Sequence, residues 1–202
     1  MEQLLNTIVQ SDQLHSKWLN ALSFMENTGA RKISSCEDPY RVTFLQLKHA
    51  AEEHRHAYYL KKQIKKLSVA FKEDYSIDSL LAANHTRQYL QRLDIFCVRY
   101  LKKELQLTGQ QLKFAAYLLV TYAIELRADL LYPIYQEILE KHNSKVMVKS
   151  IIVEEQGHLE EMIAQLNVFS DKWQQYAEVV IRYEQELSDE WLSAILNEIK
   201  EQ

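Results

Sequence analysis

The sequence predicts an all-α protein, a bundle of about six helices in a single domain that spans residues 1–202. Three observations support this class. The chain has only three glycines and two prolines among 202 residues, so it contains little material for tight turns. Apolar residues recur at intervals of three and four along most of its length, which is the helical period. A chain of this length can also bury one sizeable core.

The first half of the chain carries three predicted helices. The first covers about 2–28 and is followed by NTGARKISSCEDPY, the longest break in the pattern. The second covers about 41–69, with Pro39 suited to its start because proline is tolerated in a first helical turn. The third, outside the predicted metal-binding core, covers about 77–104. Thr108 then offers a cap for the next helix.

Three further helices are predicted in the second half. The fourth covers about 109–141 and is apolar on nearly every side, which is typical of a helix at the centre of its domain. The fifth covers about 145–168. The sixth covers about 171–200, with Ser188 as the expected cap of a short final segment. We expect the four-helix core to consist of the first, second, fourth and fifth helices.

Charge and composition exclude several classes of partner. The net charge of −4 lacks the clustered basic excess of a nucleic-acid or anionic-membrane surface. The two cysteines form no metal-thiolate motif, and no apolar run approaches the roughly 20 residues that span a bilayer. We therefore expect a soluble, cytoplasmic protein without nucleic-acid or membrane partners, and a homo-oligomer is left open.

The apolar stripe of the second helix contains acids and imidazoles. At 100° per residue, His49, Glu53 and His56 share one face with Leu45 and Leu60. Glu53 and His56 thus form a Glu-x-x-His pair that points inward. Because a buried carboxylate is costly unless it is paired, protonated or bound to a metal, this pair predicts a partner inside the bundle.

The fifth helix repeats the pattern with Glu155 and His158. The neighbouring Glu154 and Glu161 fall off its apolar stripe and are predicted to be solvated. Gly157, between the two inward residues, predicts either an irregular turn or a neighbouring helix that needs the space. Glu125 adds a third inward acid from the most apolar helix, with an ion pair to Arg127 or to an arginine of another helix as the structural alternative. These oxygen and imidazole donors match the preferences of iron or manganese.

At this point the chain resembles a family, the ferritin-like diiron-carboxylate proteins. Their bundles take a Glu-x-x-His from each of two helices and a single Glu from each of the other two. In this sequence Glu53/His56, Glu125 and Glu155/His158 match the last three elements in order. The resemblance implies a ferritin-like bundle in which Glu53 and Glu155 bridge two iron ions (or manganese), His56 and His158 donate nitrogen, and Glu125 is a terminal acid.

The remaining ligand of that pattern falls on the first helix. Glu26 lies on its apolar stripe at a family-like distance before Glu53. Antiparallel packing would instead place a residue around 12–20 opposite Glu53, where His15 and Asp12 are the substitutes. We retain Glu26 as the predicted ligand and these two as alternatives. His49, Tyr122 and Asp129 are interpreted as supporting or core residues.

The resemblance implies a non-haem diiron oxidase or oxygenase that uses dioxygen to oxidise a small organic substrate. Three other classes remain open from sequence. One is a metal-free or single-metal enzyme with a thiaminase- or haem-oxygenase-like fold, and another is an interaction or scaffold protein whose buried acids pair with arginines. The third is iron storage, although the sequence shows no cage-forming surface. The apolar residues of a substrate pocket look the same as core residues, so the sequence does not identify the substrate.

Overall fold

A computed structural model describes residues 1–201 and confirms the all-α class, since no β-strand occurs in that range. Seven α-helices are present within it. They are α1 (Glu2–Val9), α2 (Asp12–Ser35), α3 (Phe44–Ile64), α4 (Ala83–Leu105), α5 (Gly109–Lys141), α6 (Lys149–Phe169) and α7 (Trp173–Lys200). Among the described residues, none of these helices is long and apolar enough to cross a membrane.

The sequence predicted a single first helix over 2–28, and this prediction is wrong at both ends of α2. The region contains two helices, α1 and α2, and α2 continues beyond residue 28. The chain breaks after Val9, and the Ser11 hydroxyl accepts a hydrogen bond from the Leu14 backbone N–H, which caps a new helix. A serine cap is sufficient to start a helix without any nearby glycine or proline. The helix then runs through Gly29 to Ser35, so the predicted break after residue 28 begins seven residues too early.

Three other boundaries differ from the sequence prediction. α3 begins at Phe44 because the Thr43 hydroxyl accepts from the Gln46 N–H, whereas Pro39 lies in the preceding turn. The predicted helix over 77–104 is a short 3-10 turn followed by α4. The predicted interruption at Ser188 is absent, and α7 runs continuously past this buried serine.

The helices are arranged so that two neighbouring pairs face each other across the interior. α2 packs mainly on α3 and α5 mainly on α6, each pair joined by a short connection as expected for antiparallel neighbours. α5 also contacts α1, α4 and α7 and contributes many of the buried residues, in agreement with its predicted central position. One apolar cluster includes residues from Leu4 to Ile195, and the assignment of the whole chain to a single domain stays a prediction.

Candidate metal centre

Six side chains from four helices meet in the interior. Their donor atoms form two groups, each of four residues whose atoms lie within 4.8 Å of one another. The first group is Glu26, Glu53, His56 and Glu155, and the second is Glu53, Glu125, Glu155 and His158. Glu53 and Glu155 belong to both. The structure therefore brings together all six residues that the sequence predicted as ligands, and two carboxylates lie between two adjacent donor sets.

The two histidines present Nδ1 to this cluster. His56 Nδ1 lies 3.0 Å from Glu155 Oε1 and 3.8 Å from Glu26 Oε2. His158 Nδ1 lies 3.4 Å from Glu155 Oε2 and 3.6 Å from Glu125 Oε1. The centroids of the two rings are 6.0 Å apart, so both imidazoles border the same small space.

The outward nitrogens of these histidines are held by glutamates of the opposite helix. His56 Nε2 on α3 donates to Glu154 of α6 at 2.7 Å, and His158 Nε2 on α6 donates to Glu52 of α3 at 2.7 Å. Each motif is thus Glu-Glu-x-x-His, and its first acid serves the histidine of the other helix. Because a carboxylate accepts the hydrogen on Nε2, a neutral imidazole keeps its lone pair on Nδ1, towards the cluster.

The predicted solvation of Glu154 and Glu161 is therefore wrong. Glu154 is partly buried between His56 and Arg55. Glu161 accepts from His49 Nε2 at 2.8 Å, while the Tyr117 hydroxyl lies 3.2 Å from His49 Nδ1. With both ring nitrogens occupied, His49 lies beside the cluster and outside the two donor groups. The pairing between α3 and α6 depends on their packing, which no periodicity within one helix reveals.

The start and end of α2 determine which of the three ligand candidates, Glu26, His15 and Asp12, can reach the cluster. Because the helix starts at Asp12 and extends to Ser35, Glu26 sits in its second half and reaches the cluster, where the Tyr132 hydroxyl donates to it. His15 instead contacts the Tyr135 hydroxyl at 2.6 Å. Asp12 accepts from the Ser68 backbone N–H. Both alternatives are thus occupied away from the cluster.

No arginine or lysine neutralises these acids. Across residues 1–201, neither Lys nor Arg lies within 4.0 Å of the carboxylates of Glu26, Glu53, Glu125 or Glu155. Arg127, the expected alternative partner of Glu125, instead donates from Nε and Nη2 to Glu184 on α7 at 2.9 and 2.8 Å. The ion pair considered as an alternative for Glu125 is therefore absent.

Because the acids are crowded together, their pKa values shift in opposite directions. Burial, followed by repulsion from Glu26 and Glu155, raises the pKa of Glu53 well above its ordinary value. Burial and Glu155 raise the pKa of Glu125 in the same way. Burial acts to raise the pKa of Glu155 too, but Glu125, His158 and His56 outweigh it and lower that pKa. Burial opposes the charging of His56, yet the carboxylates of Glu155 and Glu26 raise its pKa to about 12.

The donor set fits metal ions by chemistry and by size. His56 Nδ1, His158 Nδ1 and Glu125 Oε2 are buried without a hydrogen-bond partner among the described residues, which is costly for polar atoms unless a partner binds. Divalent cations take such donors at about 2.0–2.2 Å, so atoms on opposite sides of one ion are about 4.4 Å apart. The separations of up to 4.8 Å are close to this value. These buried groups could hold a metal.

The explanation of Gly157 by a crowding helix is wrong, because a Cβ atom built there meets nothing within 4 Å. α6 remains helical through this position, so neither sequence-based interpretation accounts for the glycine.

Comparison with protein-family models, with curated proteins and with solved structures finds no match for this chain. The interpretation of the centre therefore depends on its own geometry and chemistry.

Proposed function

We propose that this chain is a ferritin-like, non-haem diiron oxidase or oxygenase of the cytoplasm that uses dioxygen to oxidise a small organic substrate. The observation that carries the proposal is the sharing of Glu53 and Glu155 by two four-donor groups. Two shared carboxylates between adjacent donor sets are what a dinuclear centre requires, whereas a single-metal site would need only one set.

In this proposal each residue has a defined task. Glu53 and Glu155 would be shared by the two ions, Glu26 and His56 would complete one donor set, and Glu125 and His158 would complete the other. Glu154 and Glu52 hold the two imidazoles with Nδ1 inward. The Tyr132 hydroxyl orients Glu26 through its hydrogen bond. Manganese would suit the same hard oxygen and nitrogen donors.

Two ferrous ions bound here would supply two of the four electrons that reduce dioxygen to the level of water, and the organic substrate would supply the other two. The protein contributes by excluding bulk water and by fixing the donors before the reaction. Glu53, Glu125, Glu155 and both histidines are buried, and only Glu26 retains partial exposure. Four carboxylates also balance the charge of two divalent cations, so that a loaded centre is neutral.

The scaffold alternative is less consistent with this geometry, because it requires arginine partners for the buried acids. Within the described part of the chain, the arginine nearest in sequence to Glu125 is Arg127, and it pairs with Glu184 instead of with Glu125.

Metal content and oxygen consumption test the proposal. Protein purified without chelator is expected to carry close to two iron or manganese ions per chain, and its ferrous form should consume dioxygen. A Glu155→Ala, His158→Ala double variant removes one shared and one terminal donor and should lose both properties. His49→Gln is the matched control, because the His49 ring lies 4.7 Å from the His158 ring between centroids but belongs to neither donor group.

Two results would contradict the proposal. One is a chain that binds at most one ion per protein after anaerobic titration with ferrous iron. The other is a double variant that retains the metal content and the oxygen consumption of the unmodified chain.

A further inference from the structure

A cavity of about 530 Å³ reaches the centre from outside the bundle. At its inner end lie the four carboxylates of the cluster: Glu26, Glu53, Glu125 and Glu155. Apolar side chains form most of its wall, among them Leu22, Met25, Leu90, Ile124 and Leu131. Pockets of 300–1,000 Å³ with apolar walls and a few polar groups are typical of small-molecule sites.

The mouth of the cavity lies between α2 and α4. Its exposed lining residues are Arg31 and Ser35, one turn apart on α2, and Arg87 and Gln91, one turn apart on α4. Residues four apart on a helix lie on the same side, so each pair follows one edge of the opening. The cavity is therefore acidic and buried at one end and exposed at the other.

Two guanidinium groups at this mouth have no acidic partner. Four cationic side chains line the cavity, but Lys32 pairs with Asp94 at 2.5 Å and Arg127 pairs with Glu184. Arg31 and Arg87 form no ion pair within 4.0 Å to any residue in 1–201. They place two uncompensated positive charges at the edge of an apolar cavity, and guanidinium groups are well suited to bind carboxylates.

We infer that the substrate is an apolar monocarboxylate that enters with its apolar end first and leaves its carboxylate at Arg31 and Arg87. A carboxylate at the inner end would be desolvated beside the four acids of the cluster, which two divalent ions neutralise but do not make positive. At the mouth the same group stays partly hydrated and meets two cations. This orientation directs an apolar carbon, distant from the carboxylate, towards the cluster.

The volume limits the size of the ligand. At about 30 Å³ for each water-sized atom, the cavity has room for roughly 18 non-hydrogen atoms. An unbranched acid such as dodecanoate, with about 14 non-hydrogen atoms, fits this limit. Long acyl chains attached to a large carrier headgroup would have to leave the headgroup outside.

The inference rests on the proposed function for the reaction, but the binding step is tested without turnover. Full-length protein of measured metal content is titrated with dodecanoate and with dodecan-1-ol under anaerobic conditions, and binding is followed by calorimetry and by tryptophan fluorescence. Trp191 lines the cavity and provides the fluorescence signal. The two probes share an apolar chain and differ in the headgroup, so their affinity ratio reports the contribution of the mouth.

An Arg31→Gln, Arg87→Gln double variant should lower the preference for dodecanoate over dodecan-1-ol by about tenfold, since each exposed ion pair contributes a factor of up to about five. Both side chains are exposed, so the variant should fold normally. Arg99→Gln is the matched control, because Arg99 is an exposed arginine of α4 that does not line the cavity. It should leave the ratio unchanged. Ala128→Trp, which fills the cavity, should weaken both probes at least tenfold.

An affinity ratio that is the same in the double variant and in the unmodified chain would overturn the inference, and so would failure of dodecanoate to bind. Undiminished binding in Ala128→Trp would place the probe elsewhere and would overturn it as well. Metal content is measured separately. A chain that binds dodecanoate but takes up no metal on anaerobic titration with ferrous iron refutes the diiron proposal alone, whereas a chain with two metal ions and no affinity for dodecanoate refutes only the substrate class.

Discussion

Replacing Glu125 by glutamine should stabilise the metal-free protein and remove most of its stabilisation by metal. Glu125 is 3% exposed and faces other carboxylates, with the Glu155 oxygen within 4.8 Å. Two unit charges at 4.8 Å repel by about 3.5 kcal/mol at an effective dielectric constant of 20. The protein can avoid this repulsion by keeping Glu125 protonated, which costs about 3.4 kcal/mol at pH 7 for a group with an ordinary pKa of 4.5.

Glutamine keeps the shape of this side chain and removes its charge. After allowance of about 1 kcal/mol for an altered hydrogen bond, the metal-free variant should gain roughly 2 kcal/mol. For a chain of about 200 residues this raises the melting temperature by roughly 4–8 °C. Metal at 100 times its dissociation constant should stabilise the unmodified protein by about 2.7 kcal/mol. If the variant binds a hundredfold more weakly, the gain falls to about 0.4 kcal/mol.

Glu184→Gln is the matched control for this comparison. Glu184 is 2% exposed but faces Arg127 and the Tyr89 hydroxyl rather than other acids. Removing its charge leaves Arg127 uncompensated, so this variant should lose at least about 2 kcal/mol and keep the full response to metal. Thermal unfolding of both variants with and without ferrous or manganous ions measures all four values. If both metal-free variants shift in the same direction, or if Glu125→Gln keeps the metal response, the charge argument is refuted.

Three further predictions follow from the same structure. The pKa values of Glu53 and Glu125 are raised and that of His56 is about 12, so metal binding should release protons and should weaken as the pH falls. Calorimetry in buffers of different ionisation enthalpy measures the proton release. Metal binding without proton release would contradict the assignment of these residues as ligands. Glu154→Gln should weaken metal binding by about 10–100-fold, because Glu154 holds His56. Glu160→Gln, at an exposed position of the same helix, should leave metal affinity unchanged. Equal effects of the two variants on metal affinity would exclude a specific role of Glu154. Burial lowers the pKa of His15 from 6.5 to about 4, so neutral His15 contributes fully to stability above pH 6.5, and this contribution is lost as the pH falls towards 4. The loss of unfolding free energy amounts to about 2 kcal/mol at pH 5. Urea unfolding of His15→Asn should show a correspondingly smaller loss of stability between pH 7.5 and 5, and a loss identical to that of the unmodified chain would contradict this prediction.

The helices and most of the cluster were predictable because both follow from periodicity within single helices. Glu53 and His56, like Glu155 and His158, lie one turn apart on an apolar stripe, and burial on that stripe determines the direction of the side chains. Glu26 was harder to place, since its reach depends on where α2 begins. The Ser11 cap sets that start, and a single serine is a weak signal among many polar residues.

The features that the sequence did not predict depend on contacts between helices. Glu52 and Glu154 lie beside the inward residues and would be solvated on an isolated helix, but the packing of α3 on α6 brings each to the histidine of the other helix. The cavity is likewise hidden, because Leu90 and Leu131 have the same pattern as core leucines. A cavity forms only when the helices pack together, so no pattern within a single segment of the sequence predicts it.

Two buried glutamates, Glu184 on α7 and Glu125 on α5, have opposite surroundings. Glu184 meets Arg127 and Tyr89, so its charge is fully compensated in the interior. Glu125, two positions before Arg127 on the same helix, has no lysine or arginine partner among residues 1–201 and leaves one carboxylate oxygen without a hydrogen bond. The same fold thus neutralises one buried acid and leaves four others crowded together, at a cost of several kcal/mol. An arrangement that weakens the empty protein but offers charge and donors to two cations is what a metal centre requires.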